Sequence, residues 1–114
     1  MRKIGDPRVD SPSNTFVYAM VLFNLQRCNR ANELIEEAFR VIQEKRIEGG
    51  PRNTDSHLNR IESNLLVAKA HCTDDIEERG KVLYKSVEVD QTNEYAIGLA
   101  TEFMKRLEQM NMIN

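Results

Sequence analysis

The sequence predicts an all-α protein, an antiparallel helical bundle of four helices, or five if the first one breaks, with a long first helix. Three observations carry this. From Ser13 to Glu48 there is no Gly or Pro, and apolar residues recur at helical spacing: Val17, Val21, Cys28, Ala31, Ile35, Ala38 and Ile42. Two later stretches, from Asp55 and from Asp75, open on capping residues and carry apolar stripes three and four residues apart. The one short β-like run, Lys81-Val82-Leu83-Tyr84, lies within a helical period. A chain of 114 residues suits one domain. We place it at residues 12–114, behind an N-terminal arm of residues 1–11 that holds Gly5 and Pro7 among charges.

The first helix starts at Ser11-Pro12, where serine can cap free N–H groups and proline fits the first turn. Two routes are open beyond it. Val21, Cys28, Ile35 and Ile42 form an unbroken heptad, with Val17, Asn24, Ala31 and Ala38 as companions, which favours one long or kinked helix. The polar interruption at Arg27-Cys28-Asn29-Arg30 favours a turn near Asn29. The preserved register tips the expectation toward the long helix. Glu48-Gly49-Gly50-Pro51 then stops it, with Gly49 as the terminating residue.

Thr54 or Asp55 caps the second helix, whose stripe is Leu58, Ile61, Leu65, Ala68 and Cys72. Asn59, Arg60, Glu62, Ser63 and Lys69 form its polar face. Asp75 and Glu78 have the form of a capping box for the third helix. There Ile76, Leu83 and Val87 are expected to face inward and Gly80 to allow close approach. The short connection after Cys72 makes these two helices antiparallel neighbours. Asp90-Gln91-Thr92-Asn93 ends that helix and caps the last, which carries Ala96, Leu99, Phe103, Leu107 and Met110.

Composition narrows function. Aromatic residues make up 6% of the chain and tryptophan is absent, so aliphatic side chains and methionine must fill the core. Sixteen basic residues against eighteen acidic ones leave a net charge of −2, which disfavours a protein that grips a nucleic-acid backbone. The N-terminal Met1-Arg2-Lys3-Ile4-Gly5-Asp6 has no apolar signal core, and no run approaches the ~20 apolar residues that cross a bilayer. The expected location is the cytoplasm, with no membrane partner. Cys28 and Cys72 each fall on an apolar stripe and read as small buried thiols, because a disulfide between them would need an oxidising compartment.

No residue set points to chemistry. His71 and Cys72 are adjacent, so on a helix they point ~100° apart and do not form a nucleophile–base pair. There is no Cys-x-x-Cys, no His-Glu-x-x-His and no Glu-x-x-His. The acidic clusters lack the loop pattern of a calcium hand, and no Gly-Lys-Ser/Thr follows the glycines of the linker. We therefore expect no enzyme, no catalytic residue, no metal and no cofactor.

Partner binding is better supported. Phe16-Val17-Tyr18-Ala19-Met20-Val21-Leu22-Phe23 is apolar on every side, whereas a surface helix needs only one apolar face. It should form the centre of the bundle or a contact with another chain. The expected contact residues are Phe16, Met20 and Phe23, with Arg27 and Arg30 beside them. The leading functional expectation is a small non-enzymatic interaction or regulatory protein, of adaptor or inhibitor type, that binds a protein partner or itself as a homo-oligomer. The alternative is a nucleotide- or nucleic-acid-binding module using Lys45, Arg46 and Arg52 around the glycine linker.

With a turn near Asn29, Ala19, Leu22, Ala31, Ile35 and Ala38 fall in order on small and large packing positions over about thirty residues. In this the first region resembles one tetratricopeptide repeat, which implies a helical-hairpin scaffold. The chain departs from that pattern at Gln43, where the closing proline belongs, at Arg79, where a small residue belongs, and at the linker of residues 49–53, which breaks the 34-residue period.

Overall fold

A computed structural model describes residues 12–49 and 56–113 of the chain. They form five helices: α1 (Pro12–Asn24), α2 (Cys28–Gly49), α3 (Ser56–His71), α4 (Ile76–Val89) and α5 (Glu94–Ile113). No strand occurs among the described residues. The expected arm, residues 1–11, and the proposed caps Thr54 and Asp55 lie outside them.

The heptad that favours one long first helix does not hold the chain straight. It turns at Leu25-Gln26-Arg27, a few residues before Asn29. Gln26 takes a left-handed conformation with φ 62°. Its N–H donates to the Phe23 carbonyl at 2.9 Å, and the Arg27 N–H donates to the Leu22 carbonyl at 2.8 Å. These are the two bonds of a Schellman ending, here built on glutamine where glycine is usual. The Arg27 carbonyl then accepts from the Ala31 N–H at 3.1 Å and starts α2. The longest helix is accordingly α2, with 22 residues against 13 in α1.

The turn folds α1 back on α2, and the true buried stripe of α1 becomes Thr15, Ala19 and Leu22. The heptad positions Val17 and Val21 face outward, 60% and 46% exposed. The five residues that carry the likeness to a tetratricopeptide hairpin, Ala19, Leu22, Ala31, Ile35 and Ala38, are all buried. They form one core with Leu34 and Ile42 of α2 and with Leu58, Ile61, Leu65 and Ala68 of α3.

α3 packs against all four other helices. Of its expected stripe, Leu58, Ile61, Leu65 and Ala68 are buried and Cys72, just past its end, is partly so; much of the opposite side is buried too: Ser63, Leu66, Val67 and Ala70. Ser63, expected on a solvated face, is fully enclosed. Its hydroxyl donates to the Ser86 carbonyl at 2.8 Å, and the Ser86 hydroxyl donates back to the Ser63 carbonyl at 2.7 Å. Such short side chains let the two helix backbones approach closely. Asn93, at the start of α5, adds a bond from Nδ2 to the Ser63 hydroxyl at 2.9 Å. Leu66 and Ala70 then join Val82 and Leu83 of α4 in a second core that Leu99, Ala100 and Phe103 of α5 cover.

Cys28, at the start of α2, and Cys72, just beyond α3, are joined in a disulfide with their Cα atoms 5.3 Å apart. The expectation of two free thiols is corrected here. Each cysteine does sit on its apolar stripe, and the packing of α3 across the α1–α2 hairpin brings the two together, which no local pattern reveals.

Two outcomes follow from these ties. Gln26→Gly should stabilise the protein by about 0.5–1 kcal/mol, because glycine adopts the left-handed backbone without the Cβ clash; a higher urea midpoint at unchanged slope checks it. Replacing both cysteines by serine should lower stability by roughly 2–4 kcal/mol, since the bond closes a long loop in the unfolded chain. Urea unfolding with and without reductant measures this, and the double variant should show no response to reductant.

Candidate functional site: an apolar groove between α4 and α5

The site begins with how α5 is held. Asp90 ends α4: its Oδ1 accepts from the Thr92 N–H at 3.0 Å and from the Thr92 hydroxyl at 2.6 Å. Arg60 of α3 clamps this turn, with Nε 2.6 Å from Asp90 Oδ2 and a second nitrogen donating to the Thr92 carbonyl and hydroxyl at 3.2 and 3.1 Å. The hydrogen bonds from Thr92, helped by Arg60, hold the Asp90 carboxyl below its ordinary value of 3.8. Asn93 accepts the first bond of α5, from the Ile97 N–H at 3.0 Å. At the other end of α4, Asp75 Oδ2 accepts from the Glu78 N–H at 3.0 Å, the cap expected from the sequence.

So fixed, α5 runs antiparallel to α4. The ring of Phe103 lies against Gly80, where an added Cβ would stand 2.9 Å from Phe103 Cε2. The close approach at Gly80 is as expected, and it leaves a groove of about 770 Å³ beside the contact. That volume falls within the ~300–1,000 Å³ of typical ligand clefts. From α4 come Ile76, Gly80, Leu83, Tyr84 and Val87; from α5 come Ile97, Ala100, Phe103, Met104 and Leu107. Ile76 and Val87, expected to point inward, line this groove, with Ile76 45% exposed. Among the described residues, the charged ones lining it are Asp75 and Glu77, both at the α4 N-terminal end. Met104 and Met110, soft and adaptable side chains, are both about half exposed.

A smaller cavity of about 420 Å³ lies on the other side of Phe103 and Leu83, reaching Phe23, His71, Asp74, Arg79 and Arg106. His71 Nδ1 donates to the Val67 carbonyl at 2.9 Å, and its ring meets Phe23 edge-on at 5.0 Å between centroids. Arg79 Nε donates to the Thr73 carbonyl at 2.9 Å. With Cys72 in a disulfide, no thiolate adjoins this histidine. Among the described residues, no group of His, Cys, Asp and Glu is arranged to hold a metal.

Of the residues expected to make partner contacts, the three apolar ones are half-buried. Phe16 and Met20 pack on the first core, Phe16 also meets Tyr95 of α5 edge-on at 6.1 Å, and Phe23 rests on His71. Arg27 is exposed, and Arg30 pairs with Glu33 at 3.2 Å on the surface. The outward apolar face of α1 is a different set: Val17, Tyr18, Val21 and Leu25. Val17, Val21 and Leu25 recur every four residues with Tyr18 beside them, a signal present in the sequence once the turn at Gln26 is known. Of the expected anion-binding residues, Lys45 is exposed and Arg46 is already engaged, 2.6 Å from Glu62 Oε1 and 2.8 Å from Asn59 Oδ1. Arg52 lies outside the described residues.

Comparison of the chain with models of protein families, with curated proteins and with solved structures finds no match.

The clamp that positions α5 gives an acid signature. The folded Asp90 carboxyl is held below 3.8, so the unfolded chain takes up its proton first as pH falls. Its contribution to stability is present above the ordinary carboxylate range and is lost as pH drops through the depressed folded value. Asp90→Asn should therefore lower stability at neutral pH and flatten the loss below pH 3.8, read from urea midpoints measured along a pH series.

Proposed function

We propose that this protein is a non-enzymatic interaction protein that works by docking an apolar helix against its own helices. The observation that carries the reading is the α4–α5 groove. Among the described residues it is apolar along most of its length, walled by half-exposed Ile76, Tyr84 and Met104, with its acidic residues, Asp75 and Glu77, at one end. An elongated cleft between two antiparallel helices suits a third helix, read through anchors at three- and four-residue spacing. Met104 and the ring of Tyr84 can adjust to the shape of the occupant. Large exposed apolar patches on a small domain mark interaction sites more often than chance exposure does.

The order of packing supports a scaffold role. α1 and α2 form one hairpin and α3 and α4 a second, α3 stacks on the first hairpin, and α5 covers the second. The anion-binding alternative has less support, because Arg46 is occupied by Glu62 and Asn59. No described helix is long and apolar enough to cross a membrane. A cystine persists in oxidising compartments, so the Cys28–Cys72 bond weighs against the cytoplasmic location expected from the sequence.

A synthetic amphipathic helical peptide with an apolar stripe and a basic C-terminal end tests the docking reading by fluorescence anisotropy. Binding to the native protein should weaken about tenfold or more in Met104→Glu, which puts a charge on the groove wall. Absence of binding by the native protein at millimolar concentrations would overturn it.

A further inference from the structure

We infer that the helix the groove accepts is α1 of a second copy of this chain, so that copies associate head to tail. The inference rests on the docking function proposed above and names its partner. Three features of the two surfaces match.

The first is polarity. α1 has no charged residue from Pro12 to Asn24, and its solvent face carries Val17, Tyr18 and Val21, continued by Leu25 in the turn that follows. These recur at helical spacing on the side away from the core, so α1 is apolar on both faces. A helix at the end of a hairpin stack ordinarily turns a polar face outward. Here two separate surfaces of the protomer are apolar instead: α1 presents a ridge, and α4 with α5 present a cleft.

The second is length. The 13 residues of α1 extend ~20 Å, and the groove from Ile76 to Val87 follows about three turns of α4, ~17 Å. The ridge therefore fills the cleft without overhanging far at either end.

The third is charge, which also sets the direction. The chain following α1 carries Arg27 and Arg30, both exposed. The charged groove residues, Asp75 and Glu77, sit together at the start of α4. Complementarity places the C-terminal end of the incoming α1 at that end, so that it runs antiparallel to α4 and parallel to α5. In this arrangement Val21 of one copy packs near Gly80 and Met104 of the next.

The ridge and the cleft are different surfaces of one protomer, so the contact is heterologous. It leaves a free ridge and a free cleft on every dimer and propagates to a ring or a filament. Phe16 and Met20 support the ridge from the core side, and Arg27 and Arg30 guide it from the end.

The experiment uses the full chain in sedimentation velocity over roughly a hundredfold range of concentration. The native protein should grow beyond a dimer as concentration rises. Val21→Glu on the ridge and Met104→Glu in the cleft should each remain monomeric alone, with unchanged helical circular dichroism as proof of folding. An equal mixture of the two should form a species of twice the protomer mass and nothing larger, because one ridge and one cleft remain intact between them. Arg27→Glu should weaken assembly about tenfold, and adding Glu77→Arg should restore it.

A mixture that stays monomeric, or native protein that stops at a symmetric dimer, overturns the head-to-tail contact. Native protein that is monomeric throughout yet binds the amphipathic peptide overturns the inference and leaves the docking function standing. A monomer that binds no peptide overturns both.

Discussion

The reciprocal hydrogen bonds of Ser63 and Ser86 set the spacing on which the C-terminal half of the molecule depends. Each hydroxyl reaches the backbone carbonyl of the other residue, across two helices that only side chains this short allow to come so near. In a buried setting every such group must find a partner, and these do. Asn93 extends the network to α5 and donates as well to Asn64 Oδ1 at 2.9 Å. One polar knot thereby fixes three helices. With α4 held close to α3, Leu83 enters the second core, while Tyr84 and Ile76 are left facing outward. The cleft between α4 and α5 is the remainder of that geometry.

The first half is held differently. Its core is aliphatic, with Leu34, Ile35 and Ile42 fully buried, and a partly buried polar tie across helices is Arg46, shared between Glu62 and Asn59. Close-packed apolar contact is sensitive to volume and tolerant of sequence, which is how a chain so poor in aromatic residues still fills an interior. Phe39 touches both cores and joins the two halves. The half-exposed Lys69 reaches from α3 to Glu36 of α2 at 3.2 Å, a surface pairing of small energetic weight.

Most of the architecture could be read from local chemistry. The helical class, the Asp75 cap and the stripes of α2 and α3 follow from spacing and capping residues, whose effects act within a few positions. The failures share one cause. Gln26 adopts a backbone that glycine normally supplies, so the turn suggested by the polar run at Arg27-Cys28-Asn29-Arg30 had no glycine to mark it, and the heptad through Val21 and Cys28 pointed the wrong way. Ser63 looked like a solvated residue because its partner stands 23 positions away. The Cys28–Cys72 pair, 44 residues apart, is likewise a product of stacking. For the candidate site, the apolar residues of α5 and the excess apolar surface of the first helix were legible. The cleft itself was not, since it exists only where Gly80 admits Phe103.

The disulfide has a topological consequence. It spans the connection between α2 and α3, so Cys28 to Cys72 is a closed covalent circuit that contains the whole of α2, the glycine linker and the whole of α3. A protease that severs the backbone once anywhere inside this circuit releases nothing: both pieces stay tethered through sulfur, and the α2 and α3 sides of the core keep their high mutual concentration. A scaffold of this design keeps its integrity after a nick as long as its surroundings remain oxidising, and gives up that insurance on entering a reducing one.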